Sequence, residues 1–142
     1  MKKKKLLILC QYFYPEYVSS ATLPTQMAED LVDKGMRVEV MCGWPYEYSN
    51  EKDVEKNENY KGISIKRLKY SKFNNKNKFG RIFNFFSLFA MFVCKMPKML
   101  TYDHILVYSN PPILPLIPDV LYRMFNKQYS FVVYDIAPDN AL

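Results

Sequence analysis

Leu6-Leu7-Ile8-Leu9-Cys10 is an unbroken aliphatic run near the amino terminus. A run without polar alternation suits a strand buried on both faces, as in parallel sheets. A loop containing Tyr14-Pro15-Glu16 follows, and Ala21 to Lys34 then repeats Leu23, Met27, Ala28 and Leu31 at helical spacing. Gly35 stands where a helix C-cap belongs. Arg37-Val38-Glu39-Val40-Met41-Cys42 reads as a second strand. Strand, helix and strand in so short a span predict a parallel, right-handed βαβ unit.

The same alternation continues to the end of the chain. Tyr46 to Asn59 is a polar, mixed-charge loop, and a short strand carries Ile63, Ile65 and Leu68 after a Lys61-Gly62 turn. Phe79 to Met96 predicts an aromatic helix stopped by Pro97. Ile105 to Tyr108 reads as a strand, Ile113 to Phe125 as a helix, and Phe131 to Tyr134 as a last strand. The pattern predicts one α/β domain over residues 1–142, built on a doubly wound, mostly parallel, Rossmann-like sheet. Ligands of such sheets bind beyond the carboxyl ends of the strands. The search for function therefore narrows to the loops at 12–20, 43–46, 109–112 and 135–140.

Composition excludes several classes. The chain has 142 residues, 49% apolar and 24% charged, as expected of a globular domain. One histidine and three scattered cysteines, Cys10, Cys42 and Cys94, leave no spacing for a metal or redox motif, and all three are expected as buried thiols of a cytosolic protein. Met1-Lys2-Lys3-Lys4-Lys5 before the apolar run imitates a secretory signal, but Gln11-Tyr12 ends the run too early. The stretch from Ile82 to Cys94 is shorter than the ~20 residues that span a bilayer. A net charge of +6 comes with no nucleic-acid reader motif, so no nucleic-acid partner is expected.

The four glycines, Gly35, Gly43, Gly62 and Gly80, all lie outside the first loop, which removes both a dinucleotide fingerprint and a P-loop. His104 precedes its strand, at the wrong end of the sheet to serve as a base for the loops. The loops offer carboxylates instead, Glu16, Glu47, Asp135 and Asp139, beside the aromatics Tyr12, Phe13, Tyr14, Trp44, Tyr46, Tyr48 and Tyr108. Carboxylates suit sugar hydroxyls or base chemistry, and flat rings suit sugar faces. Taken singly, each also fits a helix cap or a packed loop.

Three blocks resemble family-four GT-B glycosyltransferases. They are Leu7 to Glu16 with the helix that ends Lys34-Gly35-Met36-Arg37-Val38, Asp103 to Pro112 with its Ser109-Asn110-Pro111-Pro112 turn, and Phe131 to Asp139. The last is similar to the D-L-W-P segment of the branch that builds capsule, O-antigen and exopolysaccharide. The resemblance implies a retaining transferase of two Rossmann-like domains, of which this chain is the amino-terminal one, with the donor-binding carboxyl-terminal domain absent. It implies a lipid-linked glycan as acceptor, a nucleotide-sugar donor held mainly by the missing domain, and no other cofactor or metal. It places Asp135 as the active-site carboxylate, with Tyr14, Pro15, Glu16, Ser19, Ser20, Trp44, Ser109, Asn110 and Asp139 in the acceptor and donor loops. Ser19-Ser20 stands where many relatives have a Gly-Gly pair. The alternative is a non-catalytic Rossmann-like module that recruits a lipid carrier or partner transferase.

Charge is one-sided. Between Glu58 and Asp103 there is no acidic residue, and ten basic ones: Lys61, Lys66, Arg67, Lys69, Lys72, Lys76, Lys78, Arg81, Lys95 and Lys98. They surround the aromatic helix, whose polar residues Arg81, Asn84 and Ser87 leave most of its circumference apolar. Such a helix is either core or laid against something apolar. Cations beside apolar rings suit an anionic leaflet. This predicts a peripheral protein at the inner face of the cell membrane, with Lys69, Lys72, Lys76, Lys78 and Arg81 towards the lipid.

Overall fold

The computed structural model describes residues 4–16, 19–45, 54–70, 77–109 and 113–132, without the side chains of Ser19 and Ser20. Ten elements follow in order: β1 (Lys5–Leu9), α1 (Ser19–Asp33), β2 (Arg37–Gly43), β3 (Asn57–Tyr60), β4 (Ile63–Leu68), α2 (Lys78–Cys94), α3 (Met96–Met99), β5 (His104–Tyr108), α4 (Leu116–Phe125) and β6 (Tyr129–Val132). They form one six-stranded sheet in the order β3-β4-β2-β1-β5-β6. Every neighbouring pair is parallel except β3 with β4. Without that edge strand, the order is the doubly wound one, in which the winding reverses between β1 and β5.

The two faces of the sheet bury separate cores. Ile8, Val40, Ile63 and Ile65 face Ala28, Leu31 and Val32 of α1. Leu7, Leu9, Ile105 and Val107 face Leu88 and Phe92 of α2, Met99 of α3, and Ile117 and Leu121 of α4. This is the consequence of crossovers that move in one direction from β1 to β2 and in the other from β4 to β6.

Several elements depart from the sequence reading. β3 was expected as the end of a polar loop, because Asn-Glu-Asn-Tyr has no apolar alternation. It is fixed by its turn: Lys61 and Gly62 both have positive φ, 51° and 85°, which is the two-residue geometry that closes an antiparallel hairpin. A polar sequence is what an edge strand tolerates. The aromatic helix ends at Cys94 with Lys95 as its cap, and Pro97 does not stop it but sits in the first turn of α3. α1 starts two residues before Ala21, and α4 starts after Pro115, three residues later than expected. β6 begins at Tyr129, two residues early, with Ile105 opposite it. Residues 133 and 134 of the expected strand lie outside the described residues. Cys10 and Cys42 are buried as expected, but Cys94 is exposed, because it ends α2 on the side turned from the sheet.

Candidate functional site

The switch between β1 and β5 brings the loop after β1 beside the end of β5. Backbone hydrogen bonds join the carboxyl ends of neighbouring strands on either side of this switch. Gly43 N–H donates to Gln11 O at 2.9 Å, Trp44 N–H to Leu68 O at 3.1 Å, and Ser109 N–H to Val132 O at 3.1 Å. The first of these needs a residue without a side chain. A Cβ on Gly43 would lie 3.0 Å from the Tyr70 ring and 3.1 Å from Gln11 O.

The anchor of this rim is Arg67, which in the sequence is one of the ten basic residues between Glu58 and Asp103. It is fully buried. One guanidinium nitrogen donates to Glu55 O at 2.7 Å and meets the Glu58 carboxylate at 3.2 Å; the other donates to Tyr14 O at 2.9 Å. Arg67 thus ties the first loop to the strand hairpin, and buried charge of this kind is costly to leave without its partners. The signal was present in the alternation Ile63, Ile65, Arg67, which puts all three on the α1 face.

Glu16, expected at the site, is buried in the same place. Its charge and that of Arg67 act on one thiol. Burial pushes Cys42 up to about 12, Arg67 draws it down, and Glu16 raises it further. Burial also holds Cys10 well above its ordinary value, with contributions from Cys42 and Glu16. Neither thiol ionises near neutral pH, so neither acts as a nucleophile.

The aromatic rim is partly spent on packing. Tyr14 stacks on Tyr60 with ring centroids 3.8 Å apart, and Phe13 and Tyr108 are buried in the core. The Trp44 ring lies under the Lys69 ammonium at 4.6 Å. Tyr12, Pro15, Trp44 and Ser109 are half-buried and remain at the surface of the rim. Ser19 and Ser20 open α1. Tyr46, Glu47, Tyr48, Asn110, Asp135 and Asp139, together with Lys72 and Lys76, lie outside the described residues. The structure therefore joins Tyr14 to the β3–β4 hairpin through Arg67 and Tyr60, and Asp135 lies outside the described residues.

His104 hydrogen-bonds Ser130 Oγ through Nε2 at 2.8 Å, at the amino end of the sheet and away from the rim. Two cavities also lie at that end, one between Arg37, Glu39, Lys98 and Tyr102, the other between Lys4, Met36, Asp103 and Gln128. Among the described residues no group of three His, Cys, Asp or Glu side chains is arranged to hold a metal ion. No helix among them is long and apolar enough to cross a membrane. No protein-family model and no curated protein matches the chain.

Proposed function

We propose that the chain is the acceptor-side domain of a GT-B glycosyltransferase that extends a lipid-linked glycan in bacterial surface-polysaccharide synthesis. In this reading the rim at the β1–β5 switch receives the acceptor, and a second domain supplies the nucleotide sugar. The observation that carries it is the first loop. It has no glycine to let a pyrophosphate approach the backbone, Arg67 ties it to the sheet through Tyr14 O, and Tyr12 and Pro15, with Trp44 of the loop after β2, are half-buried at the surface of the rim. A loop without glycine and with rings at its surface fits a sugar better than a dinucleotide. The doubly wound order supports the reading, since it puts this loop and the Ser109 turn on the same crevice.

Asp135, four residues beyond Phe131 and past the carboxyl end of β6, is the proposed active-site carboxylate, orienting or deprotonating an acceptor hydroxyl. The chain works at the inner face of the cell membrane, where a lipid-linked acceptor is presented. The test is turnover in this domain joined to a domain that binds the nucleotide sugar. Asp135→Asn is expected to lower transfer by about 10²–10⁴-fold with little loss of thermal stability. Near-normal turnover in that variant would remove Asp135 from the chemistry.

A further inference from the structure

α2 is apolar on its outer side as well as its inner one. Its 17 residues make a rod about 25 Å long. After Arg81 its only polar residues are Asn84 and Ser87, and both face inward: Asn84 is buried beside Leu88 and Phe92, and Ser87 is half-buried. The outward side carries Phe79, Ile82, Phe83, Phe86, Ala90 and Val93, at spacings of three and four residues that place them in one stripe. Phe79 is 81% exposed, Phe83 59% and Phe86 56%. No charge interrupts the stripe between Arg81 and Lys95. A surface helix in water keeps its polar residues on the outer side.

The cations sort into two groups around it. Lys61, Lys66, Arg67 and Lys98 are paired with Glu29, Glu39, Glu58 and again Glu39. These acids belong to α1, β2 and β3, and their partners serve the sheet. Lys78 and Arg81 stand at the amino end of α2 and Lys95 at its carboxyl end, and Lys69 lies over the Trp44 ring, in a segment without one acidic residue. An apolar stripe with cations at both ends matches an anionic lipid surface, with rings at the acyl boundary and ammonium groups at headgroup level.

We infer that the outward stripe of α2 is the membrane-contacting element, lying in the plane of the leaflet. This inference rests on the peripheral placement proposed above and specifies it. It does not depend on sugar transfer. Because α2 follows the carboxyl end of β4 and leads to the amino end of β5, it runs antiparallel to the strands. Its aromatic amino-terminal half, where Phe79, Ile82, Phe83 and Phe86 cluster, lies towards the rim, so the candidate site opens beside the lipid surface.

Flotation with vesicles of phosphatidylglycerol and phosphatidylcholine, against phosphatidylcholine alone, tests it. The chain is expected to float with the anionic vesicles and to be released by salt. Phe79→Glu with Phe86→Glu should cut the bound fraction by about tenfold or more, since two exposed rings and their burial are lost while the core is untouched. Met124→Glu, at an equally exposed residue of α4, should change it by less than about twofold. A polarity-sensitive dye on Cys94, the exposed thiol at the edge of the stripe, should shift to the blue on anionic vesicles and not in the double variant. Unchanged flotation of the double variant would overturn the stripe and leave the peripheral placement standing. Failure of the unmodified chain to bind any vesicle would overturn both. A lipid-free dimer dissolved by the same substitutions would assign the face to a second copy and overturn the inference.

Discussion

α1 and α2 are of similar length and cover opposite faces of one sheet, yet their outer sides are opposite in character. α1 turns Ala21, Pro24 and Ala28 inward and presents Thr22, Gln26, Asp30 and Asp33 outward among Leu23 and Met27. α2 buries Asn84 and presents four large apolar residues in its first three turns. Helix propensity does not explain the difference. Burial supplies most of the stability of either helix, and it needs only the inner side. The outer side is free of that demand, and it is mostly polar on α1 and apolar on α2.

The contrast is broken most severely from inside α1. Ala28→Glu places a carboxylate in the fully buried layer between α1 and the sheet, and a loss of about 4 kcal/mol is expected in urea unfolding. Phe86→Glu makes a larger change in side-chain chemistry on α2, but at the surface, and should stay within about 0.5 kcal/mol. If the two substitutions cost the same, the outward assignment of the α2 stripe is wrong.

The thiols sharpen the same contrast, with a smaller effect. Cys94, at the end of α2, should react with a thiol reagent in the native protein, while Cys10 and Cys42, on the α1 face, should react only on unfolding. Their raised values also give a sign to the alkaline limb. Below the ordinary thiol value of 9.0 all species are protonated and the stability is fully present. Above it the unfolded chain loses protons that the folded chain retains, so stability falls as pH rises from about 9 towards about 12. A flat stability profile over that window, with Cys94 replaced by Ser, would contradict burial of the pair.

The sheet is legible because Leu6 to Cys10 is buried on both faces, which leaves an apolar run that needs no neighbour to interpret, and because Val38 and Val40 to Cys42 follow it one helix later. β3 was not, since its pairing comes from the positive φ of Lys61 and Gly62 and not from its own side chains. The site was half legible. Tyr14, Pro15 and Glu16 could be placed by the strand they follow, but Arg67 looked like one more surface cation until its alternation with Ile63 and Ile65 was set on a face. That Tyr14 stacks on Tyr60 depends on the hairpin and has no trace in local sequence. The apolar circumference of α2 was visible, whereas the inward turn of Asn84 and Ser87 required the packing against Leu88 and Phe92.

On the function proposed above, this domain receives an acceptor and leaves the nucleotide sugar to another. Calorimetric titration of the 142-residue chain tests it with two ligand sets. UDP- and GDP-sugars should give no saturable heat at sub-millimolar concentration, and a short-chain prenyl-diphosphate-linked sugar should give a saturable isotherm. Micromolar binding of a nucleotide sugar, with none of the prenyl-linked glycan, would contradict the account.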